Sequence, residues 1–528
     1  MAEEQHTTYD EMPYINAAFP QTHPDRLATL AKLMGMSPPA VETCRVLELG
    51  SASGDNLVPM ALAMPDARFL GIDLSARQTE QGRELVKALG LSNIELRHAN
   101  IAEVDASWGQ FDYIICHGIY SWVPAPIRDK ILSISRDNLA HNGVAYVSYN
   151  TYPGWRMRGM IRDMMVYHAN RFEGAANKVQ QARGLLDFLA QSTPTDSPFG
   201  LTLRSELDAI RNQPDAYLFH DHLEVVNEPV YFHEFAELAQ QHGLQYLAEA
   251  DFGAMLVSNF APQIADTLRK IAPDIVRMEQ YMDFVRNRMF RQTLLVHADL
   301  VINRSLTGAA LKGLYVAAFA VPASRVPSLL QGVPEQFRAP SGGNINTVNA
   351  ITKAALMVLR ERYPQALRIE DLAKRARERV DTEMAKPAPE ATTAKDVETL
   401  GTDLLTCYTA ALIELRSTAP RLAIEPSERP VASPFVRIRA TTSANPIVNL
   451  RHEPMQLDMF NRHLVTLLDG TRDRDAIVAA LADLVAKGTL VVRDKDVPVS
   501  GGPNLERILG QALDENLPKL GKAGLLLS

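Results

Sequence analysis

The sequence predicts an α/β fold: a doubly wound, seven-stranded Rossmann-like sheet with a helical insertion, followed by mainly α, winged-helix-like C-terminal modules. Three observations lead there. Between residues 45 and 150, short apolar runs alternate with helical patterns across short loops, the pattern of parallel strands with helices on both faces. Two more strand-like runs, 244–250 and 290–297, each follow a helix-like segment and raise the strand number to seven. Beyond residue 300 the alternation stops and two helix pairs follow.

Taken in order, the first strand is 45–50 and the second is 68–73, which ends on an acid. Ser75-x-x-Gln78 is a capping box, and Gly90 is a natural residue to stop the helix it opens. Residues 94–98 are the third strand. Residues 111–116 are the fourth, apolar enough for burial on both faces. Pro124 and Pro126 open a helix that should end near Asn142-Gly143, and 143–149 is the fifth strand. Helices at 232–242 and 278–288 precede strands six and seven. The span between strands five and six reads as a helical insertion with a polar break at 191–198. Further on, 347–362 pairs with 369–379, 386–393 reads as a loop and 426–434 as a linker. A second pair, 460–468 and 474–487, is followed by a strand at 488–493. The expected division is a cofactor-binding core at 1–155, a helical insertion at 156–226 and a segment completing the sheet at 227–300. A helical or winged-helix-like middle domain at 301–435 and a winged-helix-like domain at 436–528 follow.

The chain has 528 residues, 46% hydrophobic and 22% charged, with a net charge of −8. That balance is ordinary for a globular protein and does not favour nucleic acid as a bulk electrostatic partner. Cys44, Cys116 and Cys407 lie far apart without metal-ligand spacing, so they read as buried thiols in a reducing cytosol. The start of the chain has no signal-peptide pattern, and no run approaches the ~20 apolar residues of a membrane span. The expectation is a cytoplasmic protein with no membrane partner and no metal. His220-Asp221-His222-x-Glu224 is the one metal-capable cluster, and it reads better as a pocket wall or interaction segment.

The chemistry concentrates after strand one. Gly50-x-Ala52-x-Gly54 is a tight turn between a strand and a helix, and Asp73 ends the next strand. Such a turn lets backbone approach a nucleoside-like ligand, and the acid accepts from ribose hydroxyls. The turn lacks the G-x-G-x-x-G of dinucleotide sites, and Glu48 lies two residues before its first glycine. A carboxylate there repels a pyrophosphate but suits an ammonium group, so S-adenosylmethionine fits better than NAD. In a doubly wound sheet the ligand lies beyond the carboxyl ends of the strands. There, strand four runs into His117, Tyr120 and Trp122, and strand five into Asn150, Tyr152 and Trp155. Aromatic faces stabilise cations, so these loops suit methyl transfer to an amine; the competing reading makes the aromatics loop braces. His117 is read either as a base or as a side chain packed against the cofactor. Asn100, after strand three, is placed to meet an adenine amino group.

Residues 45–150 resemble a class I S-adenosylmethionine-dependent methyltransferase. The motifs at 9–14, 19–24, 117–124, 149–155 and 220–224 are more specific, and resemble bacterial proteins that carry a methyltransferase regulatory domain. That group includes protein-lysine methyltransferases that modify surface proteins. The resemblance implies that Gly50, Ser51, Ala52 and Gly54 contact the methionine moiety, Asp73 the ribose, and that Asn100 and Ile101 flank the adenine. It places His117 beside the cofactor, with Tyr14 and His23 folded over it; Glu48, Asn56 and Leu74 complete the expected contacts. Ala52 and Ser53 stand where many such turns carry glycine, and both are tolerated where φ is negative. The expected function is methyl transfer to lysine side chains of a protein. A small-molecule methyltransferase and a cofactor-binding scaffold without turnover are the alternatives. Tyr120, Trp122, Asn150, Tyr152 and Trp155 form the expected acceptor set. The modules beyond 300 are expected to recognise the acceptor rather than build the cofactor pocket, and a homodimer is left open.

Overall fold

A computed structural model describes residues 11–12, 17–384, 392–442, 446–494 and 497–527. Tyr14, most of the 9–14 motif and residues 386–391 of the expected loop lie outside the described residues. The sheet contains β1 (Arg45–Leu49), β2 (Arg68–Asp73), β3 (Ile94–His98), β4 (Phe111–Cys116), β5 (Leu139–Asn150), β6 (Leu244–Glu249) and β7 (Phe290–His297). Their order is β3-β2-β1-β4-β5-β7-β6. Because β1 lies between β2 and β4, the sheet changes direction of winding there, and the crevice beyond the carboxyl end of β1 is the ligand-binding position of such sheets.

The sheet is not wholly parallel. β7 runs antiparallel to both β5 and β6 and slots between them. The helices Pro262–Ile271 and Ile275–Arg286 explain this. They keep the chain at the edge where β6 ends: Ala250 donates to the Gln292 carbonyl, and the Arg286 guanidinium donates to the Ala254 carbonyl. A strand that starts from that edge must run backwards. β5 also begins earlier than expected, because the helix before it stops at Asp137. Asn138 is drawn off the helix by two carbonyls, those of Asp105 and Gly109, each 2.8 Å from its amide nitrogen. Gly143 is then an interior strand residue at a register shift, where a Cβ would lie 2.6 Å from the Asp112 carbonyl.

Alternating strand residues fill two cores. Val46, Phe69, Tyr113 and Tyr146 face the helices Pro24–Leu33 and Leu57–Ala63. Leu47, Ile72, Ile114 and Val147 face Ala125–Asp137 and Phe232–Gln241. The first core runs on without a break through Leu311, Val316, Leu359, Leu404 and Phe435. The middle region is therefore packed onto the sheet side and not strung beyond it. It holds the helices Ala350–Arg362, Ile369–Met384 and Thr392–Thr409, and two small sheets of very short strands that sequence patterns did not reveal.

The helical insertion consists of Trp155–Ala169, Ala175–Ser192, Pro198–Ile210 and Asp215–His222, around its own core of Ile161, Val179, Leu186, Leu203 and Leu218. His220 and His222 are buried within it. The C-terminal part has a third core, built by Met459–Leu467, Arg474–Ala486 and the long helix Pro503–Lys522. Residues 488–493 do not form the expected strand; Leu490 instead joins the core that Leu505, Leu509 and Leu513 of that last helix build. Only Arg493–Asp494 is extended, paired with Val497–Pro498. Nor is 426–434 a free linker, since Val431 bridges to Asp469 and buried Ala432 to Leu526. Among the described residues, no helix is long and apolar enough to cross a membrane.

Candidate functional site

The turn after β1 is held against β2 by its own backbone. The Gly50 and Ser51 amides both donate to the Ile72 carbonyl at 2.9 Å. Gly50 has φ 78°, a backbone angle that favours glycine, and a Cβ there would also have to push Ile119 Cδ1 aside from 2.4 Å. Asp73 closes the unit. Its Oδ2 accepts from the Ala52 amide and its Oδ1 from the Ser75 amide, each at 2.8 Å. Ala52 adopts φ 48°, against the expectation of a negative angle. The cause is this amide, which reaches the Asp73 carboxylate from a left-handed backbone. A left-handed alanine costs on the order of 1 kcal/mol. Ala52→Gly is accordingly expected to stabilise the fold by about 0.5–1 kcal/mol, read as a raised thermal midpoint; a lowered midpoint would contradict the strain argument.

Glu48 is fully buried beneath the turn. Its Oε1 accepts from Asn56 Nδ2 at 2.7 Å, while Oε2 has no hydrogen-bond partner among the described residues. Burial pushes its pKa up to about 8, opposed by the Asn56 hydrogen bond. A buried carboxylate oxygen without a donor fits a ligand that brings an ammonium group. The residues present thus suit the amino end of S-adenosylmethionine.

Asn56 is a hub. Its Nδ2 also donates to Thr22 Oγ1 at 3.0 Å, and its Oδ1 accepts from the Phe19 amide at 3.0 Å. These bonds fold residues 17–23 over the turn as a strap. The Phe19 ring packs on His117 with centroids 4.0 Å apart. His117 Nδ1 lies 2.9 Å from Tyr146 Oη and 3.2 Å from Ser148 Oγ. Burial lowers its pKa to about 4, so the ring is neutral and its Nδ1 is engaged. That arrangement suits packing better than proton abstraction. His23 caps the helix Pro24–Leu33, its Nδ1 accepting from the Asp25 amide at 3.1 Å. Asn100 caps its own short turn, with Oδ1 accepting from the Ala102 amide at 2.9 Å, and Ile101 is half-buried beside it. The exposed Leu74 offers its carbonyl to His98 Nε2 at 3.1 Å.

The acceptor set divides. The loops after β4 and β5 are joined by the Asn150 amide, which donates to Ser121 Oγ at 2.9 Å. Trp122 meets Trp155 edge-on at 6.2 Å, and Arg156 lies 3.8 Å over the Tyr152 ring. Asn150 Nδ2 donates to Asn227 Oδ1 at 3.1 Å, which leaves the Asn150 amide oxygen as the open acceptor. Trp155 and Asn150 are buried too, but Tyr120 stands apart from this group by its partners, packing between Tyr149 and Phe235.

Sequence reasoning missed the contribution from beyond residue 300. His452 Nε2 lies 2.9 Å from Asn56 Oδ1, and Arg439 pairs with Asp55 at 2.5 Å. The C-terminal region therefore touches the turn, contrary to expectation. A cavity of about 390 Å³ opens beside the strap, lined by Gln21, His23, Gln292, Arg416 and Arg451 among others. No local pattern could have revealed these contacts, because the partners are hundreds of residues apart.

Three stretches match family models: 46–143 a methyltransferase domain, 214–297 a predicted methyltransferase regulatory domain, and 428–525 a PKMT C-terminal winged helix domain. An uncharacterised protein of Rickettsia prowazekii, RP789, is 35% identical over 99% of this chain and 94% of its own length. A second one, RP028, is 40% identical over 46% of this chain and 96% of its own. Among solved structures, PKMT2 from Rickettsia typhi in complex with AdoHcy superposes with a TM-score of 0.86 at 33% identity. The match covers 98% of this chain and 100% of that one.

Proposed function

The chain belongs to the family of S-adenosylmethionine-dependent methyltransferases with a regulatory domain and a PKMT-type winged-helix domain, and from that premise we propose that it methylates lysine side chains of a protein acceptor. The observation that carries this reading is the end-to-end likeness to PKMT2, winged-helix domain included. The cytoplasm is the proposed location. The acceptor is taken to be protein and not nucleic acid, and the enzyme to act as a monomer or homodimer.

In this reading Gly50, Ser51, Ala52 and Gly54 hold the methionine part of the cofactor, and Glu48 and Asn56 hold its amine. Asp73 accepts from the ribose, and Leu74, Asn100 and Ile101 border the adenine. Phe19 and His117 pack over the site and exclude water, with His23 on the covering strap. When bound, S-adenosylmethionine would supply a methyl carbon for in-line attack by an amine, the C–S bond breaking as the N–C bond forms and S-adenosylhomocysteine leaving. The protein's share is orientation, which can lower the barrier by several kcal/mol. The acceptor ammonium must first lose its proton, and desolvation among Trp122, Tyr152 and Trp155 pushes its pKa down. The Asn150 oxygen then accepts from the neutral amine and aims its lone pair, while buried Tyr120 sets the loop from behind.

Asn150→Ala and Tyr152→Phe are expected to lower turnover by about tenfold or more, with cofactor affinity nearly unchanged, since the lost contacts serve the transition state. Single-turnover rates measured beside thermal melts decide the matter. Loss of stability with normal turnover of the folded fraction would make these side chains braces. Incubation with methyl-labelled cofactor and a bacterial lysate tests the acceptor class. Label in protein bands supports the proposal, label in small solutes favours a small-molecule enzyme, and no label favours a scaffold.

A further inference from the structure

We propose that His452 is a positioning residue for cofactor binding: through its hydrogen bond to Asn56, the C-terminal domain latches the strap over the cofactor turn, so that docking of this domain and binding of cofactor strengthen each other. The inference rests on the reading that the Gly50–Gly54 turn and Asn56 seat the cofactor.

Asn56 settles the direction of the bond. Its Nδ2 is already spent on Glu48 and Thr22, so its Oδ1 must be the acceptor and His452 Nε2 the donor. The proton therefore sits on Nε2. The same Oδ1 takes the Phe19 amide. One amide group thus ties together Glu48 under the turn, the strap above it, and a residue 396 positions away.

His452 is held in place for this bond at some cost. It is buried and has φ 66°, a left-handed backbone that a histidine adopts only when its surroundings impose it. The imposing group is the turn 449–453. Asn449 Oδ1 accepts from the Arg451 and Glu453 amides, each at 2.9 Å. Asn449 Nδ2 donates to the Ala523 carbonyl at 2.9 Å, at the end of the last helix. Arg451 is buried and bonds Glu453 of the same turn at 2.9 Å and Glu414 of the middle region at 2.5 Å. The turn is therefore fixed by both C-terminal regions before it meets Asn56.

Two further grips fall on the same elements. Arg439 pairs with Asp55, next to Asn56. Asp25, at the start of the helix that follows the strap, accepts from the Ser417 and Thr418 amides at 2.7 and 2.8 Å and forms an ion pair with Arg416 at 3.1 Å. Phe19 and Thr22 tie the strap to the Asn56 amide group, and His452 fixes the orientation of that same group. By reciprocity of linkage, a cofactor that needs the strap closed must also tighten the C-terminal dock. A protein acceptor gripped by that domain would then be bound more firmly once the methyl donor is in place.

The test uses the full chain with S-adenosylhomocysteine as the probe. His452→Ala is expected to raise its Kd, and the KM for S-adenosylmethionine, by about tenfold, the effect of a hydrogen bond worth about 1.4 kcal/mol. Turnover at saturating cofactor should stay within about twofold. His452→Gln keeps an N–H donor and should recover most of the affinity, a rescue that a purely structural role would not produce. In the wild-type protein, added S-adenosylhomocysteine should slow hydrogen exchange at 449–453 as well as at 50–56. An unchanged Kd in folded His452→Ala, equal losses in both variants, or no added protection at 449–453 in the wild type would each overturn the proposal. The exchange measurement decides the question even if His452→Ala does not fold. Absence of any binding to the wild type would instead overturn the underlying reading of the site.

Discussion

Asp73→Ala is expected to weaken S-adenosylhomocysteine binding by about 1–3 kcal/mol, the range for removing the charged partner of a hydrogen bond. That corresponds to roughly a five- to 150-fold rise in Kd. Two losses combine in this variant. In the proposed reading the ribose hydroxyls lose their acceptor, and the Ala52 amide loses the carboxylate oxygen that holds it at 2.8 Å. The second loss frees the turn to relax from its left-handed angle at Ala52, so the site loses shape as well as a contact. Asp73→Asn should be nearly as harmful. Both carboxylate oxygens accept backbone amides, and an asparagine must turn its NH2 toward one of them. Isothermal titration measures the affinity, and a thermal melt of each variant establishes that it is folded. Unchanged affinity in a folded variant would mean that the ribose is held elsewhere.

Arg291→Met is expected to destabilise the protein by about 3–5 kcal/mol, because it leaves buried carboxylates without their counter-ion. Arg291 is fully buried on β7. Its guanidinium bonds Asp283 at 2.7 and 2.8 Å, Glu249 at 2.8 Å and Glu279 at 2.9 Å, over the face of Phe232 at 3.8 Å. Arg288 is the other cation, bonded to Glu249 at 2.7 Å. Burial already pushes Glu279 up to about 7 although Arg291 opposes it. Without Arg291, the folded-state pKa values of Glu279 and Asp283 rise further above their unfolded values, and that of Glu249, which Arg291 and Arg288 hold below the usual range against burial, rises as well. A folded state that holds extra protons loses stability as pH rises from the unfolded pKa through the folded one. The loss should therefore be clearly larger at pH 8 than at pH 5.5. Thermal melts of wild type and variant at both values test this, and equal losses would mean that water or a shifted backbone neutralises the cluster. The network joins β6, β7 and the helix Ile275–Arg286, so its loss should also disturb the edge from which β7 runs back.

Much of the fold was legible because its elements are local events. The alternating apolar runs of β1 to β4, the Ser75 cap and the turn ending at Gly54 each depend on neighbours within a few residues. The helices of the insertion were legible for the same reason. Where a pattern was ambiguous, a distant partner decided it. Asn142-Gly143 looked like a helix end, yet Asn138 is captured by two carbonyls of a facing loop and Gly143 lies inside β5. Residues 488–493 had the composition of a strand, but Leu490 alone of their apolar residues is buried, in the core shared with the helix Pro503–Lys522, and Val491 is left exposed. Tyr120 sits in an aromatic loop like its neighbours, and only packing separates it, under Tyr149 and Phe235.

The candidate site divides in the same way. Spacing alone was enough to place Glu48, the Gly50–Gly54 turn and Asp73 together, since a strand, a turn and the end of the next strand meet by the geometry of one βαβ unit. Glycine at position 50 belongs to the same turn, whose φ of 78° an L side chain rarely adopts. Tertiary structure alone decided the left-handed angle at Ala52, the antiparallel course of β7, the Arg291 network, and the closing of the strap by His452. The reason is physical. Backbone periodicity and capping act within a turn or two of chain, whereas a buried hydrogen bond or ion pair chooses its partner by position in the folded state, after the chain between them has been brought round.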